Sequence, residues 1–207
     1  MKERLGDFSI FNRWTAEFER ATIFRGLDSA NFKDFEQSWQ PALSARAAQF
    51  KNWNEAAEGN VQDAHWDWVG KAKSEARYDA FAIECAGTTQ GLMLLDLAPH
   101  FARIPTQRGL DICYVELISS APWNRPKFSD TPKYRGCGLA LLGTAVSVSL
   151  DLELKGRLGL HSLPESETWY GALGFTNWGF DADKRLQYFE MTAEQADQLL
   201  QTREASK

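Results

Sequence analysis

Two glycines at the start of a helical run constrain this chain more than any other feature. They lie in Arg135-Gly136-Cys137-Gly138-Leu139-Ala140, and Leu139, Leu142, Val146 and Leu150 then recur at helical spacing. An apolar, β-forming run at residues 115–120 precedes them, separated by a polar connection that holds Pro122, Pro126 and Pro132. The unit therefore reads strand, loop, glycine turn, helix. A glycine-rich turn that opens a helix aims free backbone N–H groups and the positive end of the helix dipole at one point, which suits an anion. Gly136 and Gly138 let the backbone approach phosphate oxygens with no Cβ in the way, and Arg135 adds a charge-assisted contact.

Other phosphate motifs fit less well. The chain has no Gly-x4-Gly-Lys-Ser/Thr, so a P-loop is not expected, and the third glycine of the dinucleotide fingerprint is missing. A bare Gly-x-Gly also serves as a tight turn with no ligand, so the flanking residues must carry the decision.

Composition narrows the class. With 207 residues, 43% hydrophobic and 25% charged, the chain is long enough for one packed domain with an extension. Eight Trp and thirteen Phe supply large apolar areas for a core or a ligand groove. A net charge of −5 disfavours a nucleic-acid partner. Cys85, Cys113 and Cys137 have no metal-ligand spacing, and their odd number fits a reducing compartment. Lys2, Glu3, Arg4 and Asp7 leave no apolar core for a signal peptide, and no apolar run approaches the ~20 residues of a membrane span. A cytoplasmic protein without a membrane partner is expected.

Along the chain, residues 8–77 read as helical, with Phe32, Phe35, Trp39 and Leu43 three or four apart. Asp28 or Ser29 is the expected cap, Pro41 a break or restart, and residues 21–25 a short strand at most. A further helix is expected over 61–77. From Tyr78 the texture changes to strands: 78–86 and 91–97 around a Gly87-Thr88-Thr89 turn, then 110–119. After the glycine helix, which should stop at Lys155-Gly156, come a strand at 157–163, a short helix at 165–173, a strand at 186–191 and a helix at 192–201. This order predicts an α/β fold, a mixed sheet covered by helices, with residues 1–60 as a helical N-terminal extension and 61–207 as the core of one domain.

The segment Arg135 to Ala140 resembles the Arg/Gln-x-x-Gly-x-Gly/Ala acyl-CoA signature of the GNAT superfamily of N-acetyltransferases, with Arg135, Gly138 and Ala140 on its defining positions. Downstream, Trp169-Tyr170-Gly171-Ala172-Leu173-Gly174-Phe175 is similar to the family's aromatic-Tyr-x-x-Leu-Gly-Phe element. The two stand in the family's order, one helix and one strand apart. The resemblance implies a sheet in which two adjacent parallel strands, 113–120 and 157–163, splay apart to admit acetyl-CoA. Its pantetheine arm would pair with the first strand through Leu117, Ile118 and Ser119. Its pyrophosphate would meet Arg135, Gly136, Cys137, Gly138, Leu139 and Ala140. The family uses no metal. The chain departs from the family in its long 121–133 connection, and in Leu163, where many members carry Asn.

Acyl transfer from a thioester to an amine requires loss of the amine's proton, donors for the oxyanion and an acid for the thiolate. By resemblance Tyr170 is that acid; otherwise it is a packing aromatic beside Trp169. Glu116 is the leading base, because it interrupts the apolar run Ile112-Cys113-Tyr114-Val115-Glu116-Leu117-Ile118, where a carboxylate is costly unless it faces water or a cleft. An exposed strand residue paired with a cation is its plainer reading. Glu84 in Phe81-Ala82-Ile83-Glu84-Cys85, and His161 on the second splaying strand, are the alternatives. His65 and Asp67 fall where the family binds its acceptor, with a helix packed through its Trp residues as the plainer reading. Trp123 and Asn124 open a connection that would cover the cofactor. Lys127, Lys133 and Arg157 are cations for CoA's 3′-phosphate or, more plainly, ordinary solvated charges.

The expected function is direct transfer of an acetyl or acyl group from acetyl-CoA to an amine, on a small molecule or a peptide, in a ternary complex. The alternative is a catalytically silent acyl-CoA sensor or protein-interaction module of the same fold. A toxin-type transferase acting on aminoacyl-tRNA is disfavoured by the acidic charge. The acceptor and a homodimer stay open.

Overall fold

A computed structural model describes residues 2–204. The chain divides into two compact units, one running to Leu94 and adding Leu117–Leu141, the other made of Leu95–Glu116 and the chain from Leu142 onward. Among the described residues nine strands are ordered β6-β1-β2-β3-β4-β5-β7-β9-β8 in a sheet that mixes parallel and antiparallel pairs, with helices in both units. The expected mixed sheet with flanking helices is borne out.

In the first unit, the helical reading of residues 8–77 is corrected at its start. Strands β1 (Glu3–Asn12) and β2 (Glu17–Arg25) form a hairpin in register from Glu3↔Arg25 to Asn12↔Glu17. Alternation decides this: Ile10 with Asn12, and Ala21 with Ile23, are buried at every second position. Phe11 meets Phe18 across the strands, ring centroids 5.3 Å apart. The helical reading holds from α1 (Ser29–Asp34), which Asp28 caps in a reciprocal box with Asn31. A π-helical stretch, Phe35–Trp39, then leads into α2 (Gln40–Ala47). Its end is one residue, Gln40, before Pro41, whose ring would meet the carbonyl of Gln37 in a regular α-turn, and the wider turn relieves that clash.

Next come α3 (Trp53–Glu58) and α4 (Trp68–Ala72). The helix expected over 61–77 shrinks to α4: residues 62–65 form a turn, and Asp67 starts the helix anew by accepting from Gly70 N at 2.8 Å. Strands β3 (Tyr78–Cys85) and β4 (Thr88–Asp96) turn at Ala86-Gly87, both with positive φ, so the turn is one residue earlier and tighter than the sequence suggested. Phe35, Trp39 and Trp68 pack on Ala82, Leu92, Leu94 and Leu117, which covers the sheet with aromatic area. The short β6 (Tyr134–Arg135), unforeseen in the sequence, pairs with Phe11 and Asn12 of β1.

β5 (Cys113–Ser120) and α5 (Cys137–Asp151) each begin or end in the second unit. There β5 runs parallel to β7 (Leu158–Ser162) through Cys113↔Leu158, Tyr114↔Gly159 and Val115↔Leu160, and continues to Ser120 beyond that ladder. After β7 come α6 (Glu167–Ala172), β8 (Thr176–Asp181), β9 (Leu186–Met191) and α7 (Ala193–Glu204). Leu142, Ala145 and Val146 of α5 are fully buried. The chain leaves α5 through Gly156 at φ +78°, where a Cβ would stand 2.7 Å from Ala196 Cβ of α7, so conformation and space both require glycine. The edge strand β8 was missed from the sequence because most of Thr176-Asn177-Trp178-Gly179-Phe180-Asp181 is exposed and shows no alternation.

Candidate active site

The glycine turn takes its shape from β6 and α5. Arg135 pairs with Phe11 of β1, Gly136 follows at φ +108°, and Ala140 N donates to Gly136 O at 2.9 Å, closing the first turn of a fifteen-residue helix. The N–H groups of Cys137, Gly138 and Leu139 thus belong to the first turn, where an α-helix offers donors outwards. Arg135 is exposed, Gly136, Gly138 and Leu139 are half-buried, and Cys137 and Ala140 are buried. Burial pushes the Cys137 thiol up to about 12, so at this helix start it is a packed, protonated group and no nucleophile. Backbone donors, a positive-φ glycine and an exposed guanidinium make a fitting cradle for a pyrophosphate.

In the same unit, Leu117 and Ser119 point into the core while Ile118 and Ser120 are half-buried. Ser119 Oγ donates to Asp63 Oδ2 at 3.0 Å and receives Arg125 Nη2 at 2.5 Å. Arg125 also binds Asp63 through both forks and donates Nε to Ser120 O at 2.8 Å. The long connection after β5 is therefore a fastened segment. Trp123 Nε1 and Asn124 Nδ2 both donate to Gln90 Oε1 at 2.9 Å, and Asn124 Oδ1 accepts from Tyr134 N at 3.0 Å, which sets the chain into β6 and the glycine turn. Trp123 and Asn124, expected over the cofactor, are anchors of this connection. Asp63 and Arg125 carried no local signal in the sequence.

The second unit holds the candidate proton-transfer groups. Glu116 is half-buried on the β5 face that also carries Tyr114. Tyr170 is buried in α6, its ring 5.5 Å from that of Phe175 and 5.8 Å from that of Phe189. Burial raises the Tyr170 hydroxyl well above its ordinary value, which keeps it a proton donor at neutral pH. His161 is engaged on both ring nitrogens, Nδ1 with Tyr114 Oη at 2.6 Å and Nε2 with Asp181 Oδ2 at 3.1 Å. Burial holds its pKa below the usual histidine value, with Asp181 opposing.

Other candidates have structural tasks. Glu84 takes an ion pair from Lys2 and a hydrogen bond from Asn31 Nδ2 at 2.6 Å, which binds the N-terminus to α1 and β3. Asp67 is a helix cap. Arg157, expected as a cation near a phosphate, is buried and donates Nε and Nη2 to Asp111 O at 3.0 and 2.9 Å. Lys133 lies over the rings of Trp14 and Tyr134. Among the described residues no group of His, Cys, Asp and Glu is suited to hold a metal ion, and no helix is long and apolar enough to cross a membrane.

No family model and no curated protein matches the sequence. Solved structures do resemble the fold. A protein of the yellow fever mosquito, provisionally described as arylalkylamine N-acetyltransferase 7, matches with a TM-score of 0.55 and 16% identity over 92% of this chain and 95% of its own. A variant of the toxin AtaT, bound to the C-terminus of its antitoxin AtaR and to acetyl-CoA, matches with a TM-score of 0.52 and 15% identity over 87% of this chain and 98% of its own. Another bacterial toxin matches with a TM-score of 0.52 and 12% identity over 69% of this chain and 82% of its own.

Proposed function

The chain has the GNAT fold, and from that premise we propose that it is an N-acyltransferase which takes an acyl group from acetyl-CoA to an amine. The observation that carries the reading is the glycine turn: Gly136 at positive φ opens a fifteen-residue helix directly after a strand that presents Arg135. In the first unit, the N–H groups of Cys137, Gly138 and Leu139, with Arg135, receive the pyrophosphate, and Ala140 closes the turn. Leu117, Ile118 and Ser119 hold the pantetheine arm through the β5 backbone.

In the second unit Glu116 takes the proton from the attacking nitrogen, and Tyr170 gives its proton to the departing thiolate. One C–N bond forms and one C–S bond breaks; the amine's proton goes to Glu116, the thiolate takes Tyr170's, and the Tyr170 phenolate recovers a proton from solvent as amide and thiol leave. A neutral phenol in an apolar ring cluster suits an acid, and a half-buried carboxylate on a strand suits a base.

The test is release of CoA thiol from acetyl-CoA with a panel of amines: small arylalkyl and polyamine acceptors, peptide N-termini, lysine side chains and aminoacyl-tRNA. Thiol release that depends on one acceptor class, with a matching acylated product, supports the reading. Acetyl-CoA binding with no turnover across the panel supports the silent acyl-CoA-binding module instead. No binding overturns both.

A further inference from the structure

The second unit contains a chain of polar side chains that the proposed transfer leaves unused. Tyr114 of β5, His161 of β7 and Asp181 of β8 follow one another at 2.6 and 3.1 Å, and Arg103 Nη1 donates to the same Asp181 oxygen at 2.7 Å. Register produces the first link: Tyr114 pairs with Gly159, so His161 is its diagonal neighbour on the same face. The protons along the chain have a fixed direction. An ionised carboxylate only accepts, so the imidazole proton sits on Nε2, Nδ1 is an acceptor, and the Tyr114 hydroxyl donates to it. The histidine and aspartate side chains are 6% and 13% exposed.

Rigid neighbours hold the chain in line. His100 stacks on Tyr114 at 4.2 Å and 12°, and is itself tied to Asp96 at 3.0 Å. Tyr188 lies 5.0 Å from the His161 ring under the Arg103 guanidinium, and a Cβ at Gly159 would stand 2.6 Å from its hydroxyl. Glu190 accepts from Arg103 N, Ile104 N and Gln107 Nε2, which fastens the 97–112 segment that carries His100 and Arg103. The charged and titratable groups around the chain are thus Asp96, His100, Arg103, Glu116, Asp181, Lys184, Tyr188 and Glu190.

We propose that Tyr114, His161 and Asp181 form a proton relay that clears the proton delivered to Glu116 during acyl transfer. Glu116 lies two residues from Tyr114 on the same face of β5, and its charge acts on the Tyr114 hydroxyl, after burial, as a cause of its raised pKa. The step conserves protons and charge. The protonated Glu116 gives its proton to Tyr114 Oη while the Tyr114 proton passes to His161 Nδ1; Glu116 returns to carboxylate, and the imidazolium is held by Asp181 through Nε2–H. His161 then loses the Nδ1 proton to solvent, which restores the Nε2–H tautomer, and the Tyr114 hydroxyl turns back to Nδ1. Burial keeps His161 neutral at pH 7, so the accepting form is the resting one. Tyr114, His161 and Asp181 are positioning and relay residues behind Glu116. This inference rests on the acyltransferase reading.

Two measurements test it. Histidine side-chain 15N NMR reads the tautomer without turnover: a neutral His161 with the proton on Nε2 is expected, and a proton on Nδ1 overturns the relay. Second, pH profiles are recorded for wild type, Tyr114→Phe and His161→Gln with an acceptor that the wild type uses. In wild type kcat should fall on the acid side as His161 protonates. Tyr114→Phe keeps the ring and its stacking on His100, and should lower kcat about 10- to 100-fold, flatten that acid limb and leave the KM for acetyl-CoA unchanged. Tyr114→Phe decides the matter if His161→Gln does not fold. A merely structural role would lower Tm and leave the profile in place, and an unchanged kcat and acid limb in Tyr114→Phe overturns the relay alone. A wild type that binds acetyl-CoA but acylates nothing removes the acyltransferase reading and the relay together.

Discussion

Arg125 closes both forks of its guanidinium on Asp63, Nη1 to Oδ1 at 2.7 Å and Nη2 to Oδ2 at 2.6 Å, with the two side chains 6% and 4% exposed. Bidentate pairing of this kind combines charge with geometry, and here it also captures Ser119 Oγ and the carbonyls of Asn60 and Ser120. The pair thus joins three segments: the turns after α3, the end of β5 and the long connection towards the glycine turn.

Removing one partner leaves the other charged and buried. Arg125→Met should therefore destabilise the protein by about 3–5 kcal/mol in urea unfolding, while Asp63→Leu combined with Arg125→Met should recover much of that loss. A single-variant loss below ~1 kcal/mol would mean that the pair behaves as an exposed one.

The glycine turn is tested by Gly138→Asp, which brings a carboxylate and a Cβ to the first turn of α5. Acetyl-CoA should raise the wild-type Tm by mass action, by an amount that grows with ligand concentration, and the variant should lose that shift. An unchanged wild-type Tm at millimolar acetyl-CoA would count against pyrophosphate binding here.

Tyr170→Phe keeps the ring among Trp169, Phe175 and Phe189 and deletes only the hydroxyl. Acetyl-CoA affinity should persist while kcat falls on the order of 10- to 1000-fold. Equal kcat in variant and wild type would reduce Tyr170 to a packing residue.

Glu116→Gln preserves shape and removes the proton acceptor. Turnover should drop about 100-fold or more, with the acetyl-CoA melting shift retained. Wild-type turnover in this variant, measured with acceptors of differing amine pKa, would move the base elsewhere.

Stability should respond to acid in two stages of the same sign. His161 has a folded pKa below its unfolded value, chiefly through burial, so the unfolded chain binds the proton more readily. Stability is complete above the ordinary histidine value of ~6.5 and is lost as pH falls below it. Asp181 is held far below the usual carboxylate range, first by the Arg103 hydrogen bond, so its contribution is present above ~3.9 and lost as pH falls further. Calorimetric Tm values from pH 8 to 4.5 should fall for wild type, and His161→Gln should flatten the first stage. Parallel curves for the two proteins would exclude His161 as the cause.

Periodicity and cap residues act over a few positions, so what depends on them was readable from the chain alone. The β3–β4 hairpin, the glycine turn, α5, β9 and the Thr192–Gln195 capping pair of α7 are of this kind. From Val115 to Ser120 burial along β5 also alternates, with Glu116, Ile118 and Ser120 half-buried, while Tyr114 on the same face is buried. Tertiary structure decided the rest, because the deciding partners are remote in sequence. Glu84 and Glu116 look alike as carboxylates in apolar strands, and it is Lys2, 82 residues away, and Asn31, 53 residues away, that make Glu84 a tether. The edge strands β6 and β8 depend on β1 and β9 for their hydrogen bonds and carry no pattern of their own. Asp63 meets Arg125 across 62 residues, Tyr114 meets His161 across 47, and His161 meets Asp181 across 20. Pairings of that range leave no local period, since nothing but the folded backbone brings the side chains within hydrogen-bonding distance.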